Sequence, residues 1–572
     1  MLAAGGPRGL DVLPFPGTPD AAPTTQITFP ALTPAQIRSI TVSGSRTGRH
    51  PGDLTALPDG RGTTFVPSSP FKAGERVSVK AVLASRAAGT ASLDHNSTRL
   101  SFSFTIARTV TTGDGAGAKK TVTTFPGTQT FRSAPYLHPP KVTATSDPDT
   151  TSGDLLLTPN NGPQNGPLIL NGKGQVVWFD PITNGEEALD LQVQSYEGQP
   201  VLTWWQGYSG NGYGTDSEDV IVNSSYKTIA VVHAGDGYSA DLHEFQITPQ
   251  GTALLTAFVP VKANLTSLGG TRNETVLDCV IQEVDISTGQ VLWEWHALGH
   301  VPVSASYAGK PTASSPYDYF HINSIQELPN GNLLISSRST WAVYEISRTT
   351  GKIIWQLGGK HSSFKLGAGA NFEWQHDARL APNNTLTLFD DADTPKEESQ
   401  SRAVELQLNM KTMKATLVQS YVHDPPLLAA SQGNAQTLAN GNVFVGWGAQ
   451  PEFSEYTPNG QQIFNGSFTA PIGSYRAFRS PWTGQPDIPP SISISAGRAG
   501  AVTVFASWNG ATDVARWQLL AGPDAKDLRS IASAASAGFE TSISGRTAQR
   551  YVAVRALSSA GKTLGTSWPV LR

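Results

Sequence analysis

With one cysteine, Cys279, in 572 residues, the chain can form no intrachain disulfide, and its redox compartment is not legible from bridges. Cys279 itself reads as a small buried thiol. Nor is there any window near the roughly 18 consecutive apolar residues that a membrane helix requires. The start, Met1-Leu2-Ala3-Ala4-Gly5-Gly6-Pro7-Arg8, shows no charged region followed by an apolar one, so no export leader is legible in it. Charge is scarce as well: charged residues make up 15% of the chain and the formal net charge is −4. That balance gives no general pull toward nucleic acid or anionic lipid, so an anionic substrate must be held by a local cluster.

What the chain does have is punctuation. Its 56 glycines and 40 prolines are spread along the whole length and separate short runs rich in Val, Ile, Thr, Phe and Trp, the pattern of strands and turns. The expected fold class is all-β, and the length exceeds the roughly 250–300 residues that one core supports. Residues 1–24 are Gly-, Pro- and Ala-rich without periodicity and are expected to be a tail. Residues 25–110 carry alternating strands such as Arg76-Val77-Ser78-Val79-Lys80-Ala81-Val82, which predict an N-terminal, Ig-like β-sandwich. A linker is expected over 111–140.

The architecture of 141–484 follows from a repeat, because self-similarity of this kind means stacked or radially arranged units. A turn glycine precedes apolar residues ending in an aromatic in Gly174-Gln175-Val176-Val177-Trp178, Gly289-Gln290-Val291-Leu292-Trp293, Gly351-Lys352-Ile353-Ile354-Trp355 and Gly460-Gln461-Gln462-Ile463-Phe464. Weaker copies, 226–232 and 412–418, fill the gaps. Six copies predict a six-bladed β-propeller, with the tryptophans as blade packing. A second element precedes several copies, and three of its examples begin with histidine: His243, His321 and His376. The first strand of a propeller blade lines the central channel, so these histidines are expected to converge on one axis.

Imidazole can serve as nucleophile, acid or base near neutral pH, and guanidinium offers a planar fork to tetrahedral oxyanions. His243, His321, His376, Asn323 and Arg338 together therefore suggest a site for a small anion. Glu244 and Asp377 are candidates to orient the imidazoles, with surface roles equally open. Asp390, Asp391 and Asp393 read as a solvated turn rather than a calcium loop, and no metal site is expected. His296, His300, His361 and His423 read as core or surface residues.

Several segments carry a family resemblance: Asp241-Leu242-His243-Glu244, His321-Ile322-Asn323-Ser324-Ile325, Leu334-Ile335-Ser336-Ser337-Arg338, Trp355-Gln356-Leu357-Gly358, and Trp374-Gln375-His376 with Leu386-Thr387-Leu388-Phe389-Asp390. In this order they resemble the bacterial arylsulfate sulfotransferases and the broader arylsulfotransferase-like group. The resemblance implies transfer of a sulfuryl group from an aryl sulfate to a phenol by a ping-pong route, with no nucleotide sulfate donor and no cofactor. It also implies that His376 is the nucleophile that becomes a sulfohistidine, while His243, His321, Asn323 and Arg338 hold the sulfate oxygens and manage the phenol proton. The expected partners are small aryl sulfates and phenols.

After Pro486-Asp487-Ile488-Pro489-Pro490 the character changes, and 488–572 resembles a fibronectin type III domain in the runs 502–510, 514–519 and 551–557. Flanking modules of this kind suggest contact with a cell surface or polysaccharide and an extracytoplasmic location, secreted or cell-surface. A non-catalytic adhesion propeller and a sulfate-ester hydrolase remain open beside the transferase. A quinone-dependent dehydrogenase propeller is disfavoured, because there is no adjacent cysteine pair and six repeats fall short of eight blades.

Overall fold

A computed structural model describes residues 12–58, 60–84, 98–110, 127–183, 185–312 and 314–572. Among them helix occurs only as short 3-10 turns, and no helix is long and apolar enough to cross a membrane. Everything else regular is strand, and the expected all-β class holds.

Six antiparallel sheets of four strands each form the body of the molecule, two of them extended by a fifth strand. Blade 2 runs Glu187–Tyr196, Gln199–Tyr208, Thr215–Val222 and Thr228–Val232, from the axis outward. Blade 3 is Phe245–Ile247, Thr252–Ala263, Glu274–Asp285 and Val291–His296. Blade 4 is Ile322–Glu327, Leu333–Ser337, Ala342–Ile346 and Ile353–Gly358. Blade 5 is His376–Leu380, Thr385–Asp390, Arg402–Asn409 and Lys414–Tyr421, with Lys365–Leu366 added at its outer edge. Blade 6 is Asn434–Thr437, Val443–Gly446, Glu452–Tyr456 and Gln462–Phe468.

The ring closes twice. Gly473–Ser480, from the end of the propeller segment, becomes the inner strand of blade 1 beside Asp154–Asn160, Leu168–Leu170 and Val176–Phe179. Val142–Ser146, from its beginning, pairs on the outer strand of blade 6. Inner strands of successive blades touch at the other junctions, and between blades 3 and 4 the Glu327 N–H donates to Gln246 Oε1 at 3.4 Å. All six repeat copies fall on or beside the fourth strands; in four of them a turn glycine reverses the chain, and Trp178, Trp293, Trp355 and Phe464 are buried. In these four blades the outer edge is anchored by one large ring, since a buried aromatic contributes more apolar area than any aliphatic side chain.

Two sandwiches flank the ring. The N-terminal one packs Ile27–Phe29, Thr63–Pro67 and Gly52–Ala56 against Gly48–His50, Ile37–Gly44, Arg76–Leu83 and Thr98–Thr105. Strand 76–83 alternates exposed and buried as its sequence requires, with Val77, Val79, Ala81 and Leu83 in the core. The C-terminal one packs Ser491–Ala496, Ala501–Ser507 and Glu540–Arg546 against a second sheet holding Arg516–Gly522 and Tyr551–Leu557, around Trp508 and Trp517.

Two expectations need correction. Residues 12–24 are no tail: Val12, Leu13, Phe15, Ala21 and Ala22 are buried, and the Phe15 ring meets Trp293 of blade 3 edge-on at 6.2 Å. Prolines suppress periodicity there, yet the apolar residues fill the seam between sandwich and ring. Of the expected linker, 111–126 lies outside the described residues, whereas Ala134 and Leu137 join the propeller core and Ser133 bonds Glu540 Oε2 at 2.6 Å.

Candidate active site

Inner strands bring three distant histidines into one row at the start of blades 3, 4 and 5. The His243 ring lies 4.7 Å from that of His321, which in turn is 6.5 Å from that of His376, each pair edge to face. Phe258 stacks flat on His243 at 5.3 Å and fixes the first ring of the row. His321, Trp374 and Asp377 have φ of 53°, 59° and 54°. Left-handed backbone at a residue with a side chain is costly and gathers where the fold must aim a group.

Every imidazole of the row is held at Nδ1 by its own carboxylate. His243 meets Asp241 Oδ2 at 2.5 Å, His321 bonds Asp318, and His376 meets Asp391 Oδ2 at 2.7 Å. Asp241 is held below the ordinary carboxylate range: burial opposes this, but the charge and hydrogen bond of His243 and the Gly214 N–H outweigh it. Carboxylates on Nδ1 leave each Nε2 as the working nitrogen.

At His376 the tautomer follows from a backbone donor. The Gln432 amide N–H, which can only donate, points at His376 Nε2 from 3.2 Å. Nε2 therefore carries the lone pair, and Nδ1–H donates to Asp391. Burial drives the His376 pKa well below the usual histidine value, and the positive charges of Arg338, His321, His243 and Arg476 press it further down. The site thus holds an unprotonated, buried nitrogen base close to the Arg338 guanidinium.

Arg338 lies beside this row. Its backbone N–H donates to the His321 carbonyl at 2.9 Å, and its guanidinium sits 4.8 Å over the Trp374 ring. Nη2 donates to the Ala430 carbonyl at 3.0 Å, while the buried Nε has no acceptor among the described residues. Asn323 is placed differently. Its Nδ2 donates to the Gln375 carbonyl at 2.7 Å, one residue before His376, and among the described residues no hydrogen bond or ring contact joins it to the three imidazoles.

The carboxylates take other partners than their sequence positions suggest. Glu244 and Asp377 do not orient imidazoles; both pair with Arg379 at 2.6 Å and face Arg476, at 3.4 and 3.7 Å. Asp390 and Asp391 are not a solvated turn, for both are fully buried, the first against Arg402 at 3.0 Å and the second against His376. Asp241 and Asp318 had a visible signal, a carboxylate two or three residues before a histidine. Asp391 had none, because only the pairing of His376 with Phe389 brings 391 beside the start of the neighbouring strand.

A cavity of about 520 Å³ is lined by Gln192, Gln246, Gln326, Asp377, Arg379 and Gln436 among others. These residues lie farther along the inner strands than the histidines, so this cavity opens at the other end of the channel. Among the described residues the three imidazoles form no group of ligand atoms arranged for a metal; the group that meets that geometry is Asp20, Asp278 and His296, outside the site.

A search of curated proteins returned no match. Among solved structures, a protein of unknown function from Bacteroides caccae is 15% identical with a TM-score of 0.36, covering 57% of this chain and 100% of its own. Virginiamycin B lyase from Staphylococcus aureus is 10% identical with a TM-score of 0.30, covering 65% of this chain and 96% of its own. The family model described as Arylsulfotransferase (ASST) matches residues 192–469, a span that contains all three histidines, Asn323, Arg338, Asp241, Asp318 and Asp391. That segment of the chain belongs to the arylsulfotransferase family.

Proposed function

We propose that the chain is an arylsulfate sulfotransferase working by a ping-pong mechanism through a sulfohistidine at His376. The observation that carries this reading is the unprotonated Nε2 of a buried imidazole whose Nδ1 is fixed by Asp391, set among Arg338, His321 and His243. In the first half, the Nε2 lone pair forms the N–S bond as the S–O bond to the aryl group breaks, and a protonated His321 or His243 gives its proton to the departing phenolate. In the second half, the same imidazole takes the proton of an acceptor phenol, whose oxygen attacks sulfur and expels Nε2.

Sulfuryl transfer, like phosphoryl transfer, spreads charge over three equatorial oxygens, so fixed cationic and N–H donors supply most of the catalysis. Arg338 is the principal donor. Asn323 has a second amide hydrogen beyond the one given to Gln375, which suits a sulfate oxygen. A hydrolase would use water in the second half, and a binding propeller would do neither step.

Purified protein incubated with 4-nitrophenyl sulfate is expected to release about one equivalent of nitrophenolate without an acceptor, leaving a sulfuryl adduct on His376 found by mass spectrometry, and to turn over repeatedly only when a phenol is added. His376→Ala should lose both release and adduct. Repeated turnover that ignores the acceptor would point to the hydrolase, and neither burst nor turnover across a donor panel would leave the binding propeller.

The pH profile gives an independent check. Attack needs neutral His376, and burial with the neighbouring cations holds its pKa well below the usual value, so protonation becomes significant only at lower pH. The acid limb of adduct formation is therefore expected below the ordinary histidine pKa of about 6.5. An acid limb at or above that value would contradict the depressed pKa.

A further inference from the structure

Away from the channel, in the seam where residues 12–24 meet blade 3, lies a second cluster of titratable side chains. Asp20, Asp278 and His296 are each at least nine-tenths buried, and one ligand atom from each lies within 4.8 Å of the others. Asp278 comes from the third strand of the blade, His296 from the end of the outermost strand, and Asp20 from the segment that precedes the N-terminal sandwich.

The hydrogen bonds fix where the lone pairs point. His296 Nε2 meets Glu294 Oε1 at 2.8 Å, and Glu294 is itself held by Gln282 Nε2, which donates to Oε2 at 2.6 Å. The Leu298 N–H donates to Asp278 Oδ1 at 2.9 Å, leaving Oδ2 to face His296 Nδ1 at 2.7 Å. Asp20 Oδ1 stands 3.6 Å from the same Nδ1, and among the described residues no N–H or O–H donates to either Asp20 oxygen. His296 faces a carboxylate at each ring nitrogen, Glu294 at Nε2 and Asp278 at Nδ1, so both nitrogens carry protons here; a cation displacing the Nδ1 proton would meet that nitrogen and two carboxylates around one small volume. His296 is the only basic side chain paired with these carboxylates among the described residues, so at most one positive charge faces three negative ones. Buried charge left in that balance is strongly unfavourable without a further cation or shared protons.

We propose that Asp20, Asp278 and His296 bind one divalent cation of the zinc or manganese class, which fastens the N-terminal segment to the propeller. One imidazole nitrogen with carboxylate oxygens suits zinc or manganese, whereas calcium and magnesium favour all-oxygen shells. Glu294, on the far nitrogen of His296, has the place of the carboxylate that orients a metal-bound imidazole. Because the ligands come from two parts of the chain, binding links sandwich and ring, and its free energy adds to stability.

The test is metal content and melting temperature of the full chain after loading with Zn2+ or Mn2+ and exhaustive dialysis. Wild type is expected to retain about one equivalent, to lose several degrees of Tm on chelation, and to recover them on adding either ion. Asp20→Asn should retain none and ignore the chelator. Glu294→Gln, a milder change, should bind about 10- to 100-fold more weakly and gives the answer should Asp20→Asn not fold. No retained metal in wild type, with Tm unmoved by chelator, would overturn the proposal in favour of protons shared between Asp20 and Asp278. Retention of calcium alone would overturn the nitrogen ligand.

Discussion

Replacing Asp391 by Asn is expected to lower kcat for aryl sulfate turnover on the order of 10^4-fold while leaving the fold intact. The side chains are nearly isosteric and the site is buried, so packing changes little. What changes is the proton. Asp391 accepts from His376 Nδ1–H at 2.7 Å, whereas the Asn amide can donate to Nδ1 and drive the imidazole to its other tautomer. Nε2 would then carry hydrogen, lose its nucleophilic lone pair and oppose the Gln432 N–H that points at it. Stopped-flow measurement of the first nitrophenolate burst, with adduct mass spectrometry, isolates this step. A burst as fast as wild type would mean that Asp391 does not set the tautomer. An Asn323→Ala change should behave differently, acting on KM and geometry, because Asn323 braces the Gln375 carbonyl and touches no imidazole.

The repeat made the ring legible because a turn glycine and a large apolar residue are local requirements of an outer strand, and they recur wherever a blade ends. The histidines were legible because they open inner strands in recognisable motifs. Their carboxylates were not equally so. Asp241 and Asp318 lie two and three residues from their histidines, but Asp391 reaches His376 only through a hairpin whose register no local pattern states. Asp390-Asp391 looked like a hydrophilic turn because composition cannot tell a solvated acid from one that a distant imidazole or guanidinium has drawn inside. The same reason hid residues 12–24: proline removes the alternation that marks a strand, while burial of Leu13 and Phe15 depends on partners in blade 3. Glu244 and Asp377 were assigned to the imidazoles by adjacency in sequence, yet successive strand residues face opposite ways, and both turn toward arginines instead.

Arg476 is the residue whose role sequence gave no sign of, and Arg476→Met is expected to produce the largest loss of stability of any single change at the axis. Its side chain is essentially inaccessible to water. It projects from the inner strand of blade 1 to Asp190 of blade 2 at 3.1 Å, to Glu244 at the start of blade 3 at 3.4 Å, to the Asn323 carbonyl of blade 4 at 2.7 Å, and to Asp377 of blade 5 at 3.7 Å. One guanidinium thus joins the strand that closes the ring to four other blades. Deleting it leaves buried carboxylates short of a partner, a defect of about 3–5 kcal/mol. For a body of about 340 residues that corresponds to a fall of about 4–7 °C in the propeller transition seen by calorimetry. Arg379→Met should cost less, because Arg379 is about a quarter exposed and water can screen what it leaves behind. The closing arginine also acts on chemistry. Its charge is one of those that depress the His376 pKa, so its removal raises that pKa and moves the acid limb of activity to higher pH. A lowered Tm without that pH shift would separate ring closure from the electrostatics of the nucleophile; the two are expected to move together, because the cation that locks the last strand is the same one that helps keep His376 unprotonated.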